Sequence, residues 1–172
     1  MDTTSGSRLW EYTEGASTMS SSVVAAGVIY APSNGVTALT PRAGAAAPTQ
    51  LWRSKQLNPA TISPIVLDGR LFSVNGAGVV TSASIQTGDA GWKLRLTGPF
   101  SGSPVGAGQR LLAVNEKGLV QIVNVTAPEG AILGQLQLPL QAEKKELILC
   151  TPALSGRHIF LRSDSTLWRL GE

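Results

Sequence analysis

Ser63-Pro64-Ile65-Val66-Leu67-Asp68-Gly69-Arg70-Leu71-Phe72-Ser73-Val74-Asn75-Gly76 is the stretch that decides the fold of this chain. It reads as a short apolar strand, an Asp-Gly turn, a second strand apolar on both faces, and a second turn. Asp-Gly is favoured in tight β-hairpins, so Asp68 is a turn residue. The series recurs. A Ser- or Thr-led element stands at Ser21-Ser22-Val23-Val24, Ser103-Pro104-Val105 and Thr151-Pro152-Ala153-Leu154. A Gly turn then enters a strand at Gly27-Val28-Ile29-Tyr30, Gly108-Gln109-Arg110-Leu111-Leu112 and Gly156-Arg157-His158-Ile159-Phe160. The large residues Tyr30, Phe72, Leu112 and Phe160 step by 42, 40 and 48. The second turn returns at Ser33-Asn34-Gly35, Asn115-Glu116-Lys117-Gly118 and Ser163-Asp164-Ser165. Landmarks that keep one register make a four-fold repeat.

Tryptophans mark the far end of the unit. Trp10, Trp52 and Trp92 are 42 and 40 residues apart, two of them as Leu9-Trp10-Glu11 and Leu51-Trp52-Arg53. Each unit of about 40 residues holds roughly four strands bounded by Gly, Pro, Asn and Ser. Strands apolar on both faces belong where sheets stack, as in propeller blades. The expected fold class is all-β: a propeller of four four-stranded blades, or half of an eight-bladed ring. One domain spans 1–172, with repeats near 13–54, 55–95, 96–136 and 137–172. A strand at 7–12 is expected to close the last blade, which ends at Leu167-Trp168-Arg169-Leu170. Ala43-Gly44-Ala45-Ala46-Ala47-Pro48 and Leu140 to Glu146 read as inserted loops.

Composition excludes several function classes. Hydrophobic residues make up 42% and charged residues 15% of 172, which disfavours disorder. No apolar run approaches the ~20 residues of a membrane-spanning helix. Net charge is +3, but the basic residues are scattered and Lys144-Lys145 is bracketed by Glu143 and Glu146. That is not the clustered basic face of a nucleic-acid binder. Cys150 is the only cysteine and is read as a structural thiol in an apolar strand, so no intrachain disulfide is expected. His158 is the only histidine, aligned with Val28, Arg70 and Arg110 at an ordinary strand position. Gly76-Ala77-Gly78 leads into a strand, not a helix, and makes no phosphate loop. The opening MDTTSGSRLWEYTEG shows no basic region followed by an apolar stretch, so no signal peptide is expected within it.

Asp2-Thr3-Thr4-Ser5-Gly6-Ser7-Arg8-Leu9-Trp10 and Ser84-Ile85-Gln86-Thr87-Gly88-Asp89-Ala90-Gly91-Trp92 resemble the tryptophan docking motif of pyrroloquinoline-quinone-type propeller repeats. Thr/Ser-Gly turns the chain between a blade's last two strands, and the indole wedges against the adjacent blade. Gly6, Gly88, Trp10, Trp52 and Trp92 are the structural positions of that motif. The third repeat departs from it, with Leu133 in place of Trp and the turn Ala127-Pro128-Glu129-Gly130. The resemblance covers essentially the whole chain. It implies either a quinone- and calcium-binding dehydrogenase or a non-catalytic scaffold such as the lipoprotein that assists outer-membrane barrel assembly.

A lone cysteine cannot form the adjacent-cysteine disulfide of the dehydrogenase class, and the chain is far shorter than those enzymes. The resemblance therefore implies no enzyme, no cofactor and no metal. The expectation is a scaffold or binding module of the bacterial envelope, periplasmic by resemblance alone, with a protein, peptide or glycan partner. It would be a monomer or homodimer. The alternatives are a quinone-dependent dehydrogenase-like domain, and a sensory domain of a larger signalling protein. The turns after each second strand share a face with the loops between blades. Asn34, Asn75, Asn115, Glu116, Lys117, Arg162 and Asp164 on those turns form the candidate interaction face.

Overall fold

The computed structural model describes residues 2–171, the side chain of Ala142 excepted. Four antiparallel sheets follow in chain order. The first holds β1 (Val23–Ala25), β2 (Val28–Pro32), β3 (Val36–Thr40) and β4 (Thr49–Ser54). The second holds β5 (Ile65–Leu67), β6 (Arg70–Val74), β7 (Val79–Ser84) and β8 (Ala90–Arg95). The third holds β9 (Val105–Ala107), β10 (Arg110–Val114), β11 (Leu119–Asn124) and β12 (Ala131–Gln137). The fourth has only β13 (Ala153–Ser155), β14 (His158–Arg162) and β15 (Leu167–Leu170). Each is a meander, as the spacing of the turn signals requires. Asp68 and Gly69 join β5 to β6 with φ of 47° and 70°, the left-handed pair that a two-residue turn demands.

The second strands explain why both faces are apolar. Leu71 faces the first sheet, in a cluster with Tyr30, Val36, Ala38, Trp52 and Leu57. Its neighbour Phe72 faces the third, with Leu96, Phe100, Leu111 and Val123. Leu112 in turn points at the fourth sheet, with Val120, Ile148 and Leu161. Successive side chains of one strand thus fill two different seams. Among the described residues three such clusters join the four sheets in series, and none joins the fourth to the first.

A second fastening runs through the Ser/Thr positions of the repeat. The N–H of Ser21 donates to Ser63 Oγ at 2.8 Å, that of Ser63 to Ser103 Oγ at 2.9 Å, and that of Ser103 to Thr151 Oγ1 at 3.0 Å. These residues precede β1, β5, β9 and β13, short strands of which β1 lies beside β5 and β5 beside β9.

Three expectations need correction. Residues 7–12 form no strand and do not join the fourth sheet. The segment lies against the first sheet instead, where Trp10 borders shallow pockets walled by Arg42 and Gly44 on one side and Ile29, Ala31 and Leu39 on the other. The tryptophan position of the third repeat is Gly134, not Leu133. Gly134 pairs with Ile122 as Trp52 pairs with Ala38, while Leu133 and Leu51 are the extra residues of equivalent bulges. Cys150 sits in a bend rather than a strand, its Sγ within 3.2 Å of Arg162 O and 3.4 Å of Arg162 N.

Candidate functional site

One end of the sheets carries both the turns between second and third strands and the connectors between sheets. The turns are hydrogen-bonded to these connectors, the third of them to the connector on either side. At the third sheet, Glu116 N–H donates to Pro99 O at 3.0 Å, and Glu116 O accepts from Ile148 N–H at 3.0 Å. At the second, Gly78 O accepts from Leu96 N–H at 2.8 Å and Gly76 O from Phe100 N–H at 3.1 Å. Gly78 has no room for a side chain, since a Cβ would stand 2.8 Å from both Leu96 O and the Phe100 ring. At the fourth, Asp164 accepts the N–H of Leu147 at 2.9 Å.

The candidate face therefore divides. Asn115 is 2% exposed. Its Oδ1 accepts from Lys117 N–H at 3.0 Å and Leu119 N–H at 2.9 Å, and its Nδ2 donates to Thr97 O at 3.0 Å. Asn75 accepts Val79 N–H at 3.0 Å. Glu116 accepts the Ser101 hydroxyl at 2.7 Å. Asn34, Lys117, Arg162 and Asp164 are exposed. Asn34 and Gly35 turn the chain with φ of 50° and 100°.

Sequence reading missed an open cleft of about 670 Å³ beside the first turn. Glu14, Ser17, Asn34, Lys55, Asn58 and Ala60 line it. Its preceding wall is tied down by Ser17 N–H to Pro32 O at 2.7 Å and by the Ser33 hydroxyl to Gly15 O. Arg53 fixes the rim: it pairs with Glu14 and donates to Tyr12 Oη at 2.7 Å and Thr37 Oγ1 at 2.9 Å. These connector residues share no repeat register. Only the clustering of Ser, Asn, Pro and Gly at 14–17 and 54–60 marks them as loop.

Glu146 was read only as a charge bracket, yet it is 6% exposed. Its carboxylate accepts Gln141 N–H at 2.8 Å, the Ser165 hydroxyl at 2.7 Å, and the Ser163 hydroxyl. Those donors hold its pKa down to about 2. It clasps the long third connector to the fourth turn.

The amide and acid groups available for a quinone–calcium site do not fit one. Asn75, Asn115 and Glu116 are committed to turns and connectors. Among the described residues no three of His, Cys, Asp or Glu are grouped to hold a metal. No helix among them is long and apolar enough to cross a membrane.

Comparison with known proteins agrees with this architecture. BamB from Moraxella catarrhalis superposes with a TM-score of 0.72 at 15% identity, over 95% of this chain and 49% of that one. The chain thus spans about half the length of that structure. Two larger enzymes share the fold over smaller parts. A europium-containing methanol dehydrogenase matches with a TM-score of 0.50 and 10% identity, covering 59% of this chain and 19% of that one. A quinohemoprotein alcohol dehydrogenase from Pseudomonas putida HK5 matches at 0.51 and 12%, covering 58% and 16%. Among curated proteins no sequence matches significantly. The family model described as outer membrane protein assembly factor BamB matches residues 36–142, which is most of the chain, and the chain belongs to that family.

Proposed function

We propose that this chain is a non-catalytic scaffold of the bacterial envelope that binds a protein segment on its turn-and-connector face. The cleft between Glu14, Asn34, Lys55 and Asn58 is the observation that carries the reading. It is open, lined by both charge signs and by amides, and floored by backbone already satisfied through Ser33 and Ser17. Such a surface offers several hydrogen-bonding groups to an extended peptide. The family's description as an outer membrane protein assembly factor supports a protein partner and an envelope location. Protein is favoured over a glycan partner because the cleft has no aromatic platform among its lining residues.

A photo-crosslinking amino acid placed at Lys55 or Asn58 tests this in cells. A discrete protein adduct is expected from these positions and not from Arg157, on the hairpin at the opposite end of the fourth sheet. Equal adducts from all three positions, or none, would overturn it. Pyrroloquinoline quinone with calcium is expected to leave the melting temperature unchanged, and a rise on adding both would restore the dehydrogenase reading.

A further inference from the structure

The chain has five asparagines, and two of them, Asn34 and Asn75, are followed by glycine. The carboxamide carbon of an asparagine can be attacked by the main-chain nitrogen of the next residue, and a glycine leaves that nitrogen unshielded. The fold protects four of the five. Asn115 is buried with its amide in three hydrogen bonds, and the following Glu116 N–H is given to Pro99 O. Asn124 accepts the N–H of Thr126 at 3.0 Å and its hydroxyl at 2.8 Å, and the following Val125 N–H donates to Gln109 O. Asn58 precedes Pro59, whose nitrogen has no hydrogen to lose. Asn75 is half-buried. Its Oδ1 is held by Val79 N–H at 3.0 Å, and the Gly76 carbonyl by Phe100 N–H at 3.1 Å.

Asn34 has none of these restraints. It is exposed in the open cleft, and among the described residues neither its carboxamide nor the Gly35 N–H has a hydrogen-bond partner. Gly35 cannot be exchanged for a residue that would shield it. Its φ is +100°, and a Cβ there would stand 2.2 Å from Ser54 O. The close approach of this turn to the chain after β4 thus requires the very residue that leaves Asn34 open to attack.

We propose that Asn34 is a site of spontaneous deamidation in the folded protein, and that Asn75 is not. Gly35 N gives up its proton to water and bonds to Asn34 Cγ. The Cγ–Nδ2 bond breaks, and Nδ2 leaves as ammonia with a proton returned from water. The five-membered imide then takes up one water. Opening at Cγ yields an aspartate, and opening at the main-chain carbonyl carbon yields an isoaspartate. The whole change converts an amide and water to a carboxylate and ammonium, with no oxidant or reductant. An isoaspartate lengthens the main chain by one carbon in a turn that already presses on Ser54. Either product adds a carboxylate to the cleft that Lys55 lines, and Lys55 has no ion pair among the described residues. The inference concerns the chemistry of the turn and stands apart from what the cleft binds.

The five asparagines fall in five separate tryptic fragments, 9–42, 56–70, 71–93, 111–117 and 118–144, so mass spectrometry reads each alone. The folded chain, aged at mildly alkaline pH, is expected to lose unmodified 9–42 progressively while 71–93 stays intact. Methyl groups added by an isoaspartate-specific methyltransferase should accumulate on 9–42 in parallel. In urea both fragments should be lost together, because the two Asn-Gly steps then differ in nothing but their neighbours. Asn34→Gly, which suits the positive φ of 50°, is expected to abolish methyl acceptance without changing the circular dichroism spectrum. The wild-type fragment readout stands even if that variant fails to fold. Survival of 9–42 in the folded chain under conditions where urea destroys it would overturn the proposal, as would equal loss of 9–42 and 71–93 from the folded chain.

Discussion

Trp52 and Trp92 occupy equivalent places but are not equally satisfied. Trp52 Nε1 donates to Ile85 O at 3.0 Å, whereas the buried Nε1 of Trp92 has no partner among the described residues. The difference lies in the receiving turn, Gln86-Thr87-Gly88 in one seam and Ala127-Pro128-Glu129-Gly130 in the other. Trp52→Phe should therefore destabilise the fold by about 1 kcal/mol more than Trp92→Phe, compared by urea denaturation. Gly88→Ala should cost about 1–3 kcal/mol by the same measurement. Its Cβ would stand 2.4 Å from the Trp52 ring, at a φ of +75°. Gly6→Ala has open space, though its φ of +70° carries a smaller strain of its own. Glu146 sets a pH dependence. Its carboxyl is near 2 when folded and 4.5 in the unfolded reference, so it stabilises the fold above 4.5 and loses that contribution as pH falls towards 2. Glu146→Gln should flatten the stability profile across that window, followed by thermal melts.

At the level of strands and turns, most of the fold was legible in the sequence. The steps of 42, 40 and 48 that align Tyr30, Phe72, Leu112 and Phe160 reappear as the spans between Ser21, Ser63, Ser103 and Thr151 in the hydroxyl–amide series. Removing one hydroxyl should be felt where its donor is shielded. Ser103→Ala strands the half-buried N–H of Ser63 and should cost about 1–3 kcal/mol. Ser63→Ala strands only the exposed N–H of Ser21, which water can reach, and should cost less. Paired denaturation curves check the order. The candidate face was less legible, for a physical reason. Asn is favoured in turns because its amide closes them, so Asn75 and Asn115 were visible as turn residues while their inward hydrogen bonds were not. Bulges also escaped. A single extra residue shifted the tryptophan position from Leu133 to Gly134, and no composition signal marks it.

For the whole molecule, the strand expected at 7–12 was the informative miss. Local sequence placed a strand there, but a strand needs a neighbour, and the structure gives this segment none and no strand forms.

Gly134 also has a mechanical meaning. The first two seams are each wedged by an indole from the fourth strand of the preceding sheet, but the third has Gly134 in that place and is filled by Ile148 and Leu161, with Trp168 of β15 packed against them. Under a pulling force the fourth sheet should peel away as a unit before the other three separate. The protein therefore carries a built-in tear line, at the junction between β12 and β13.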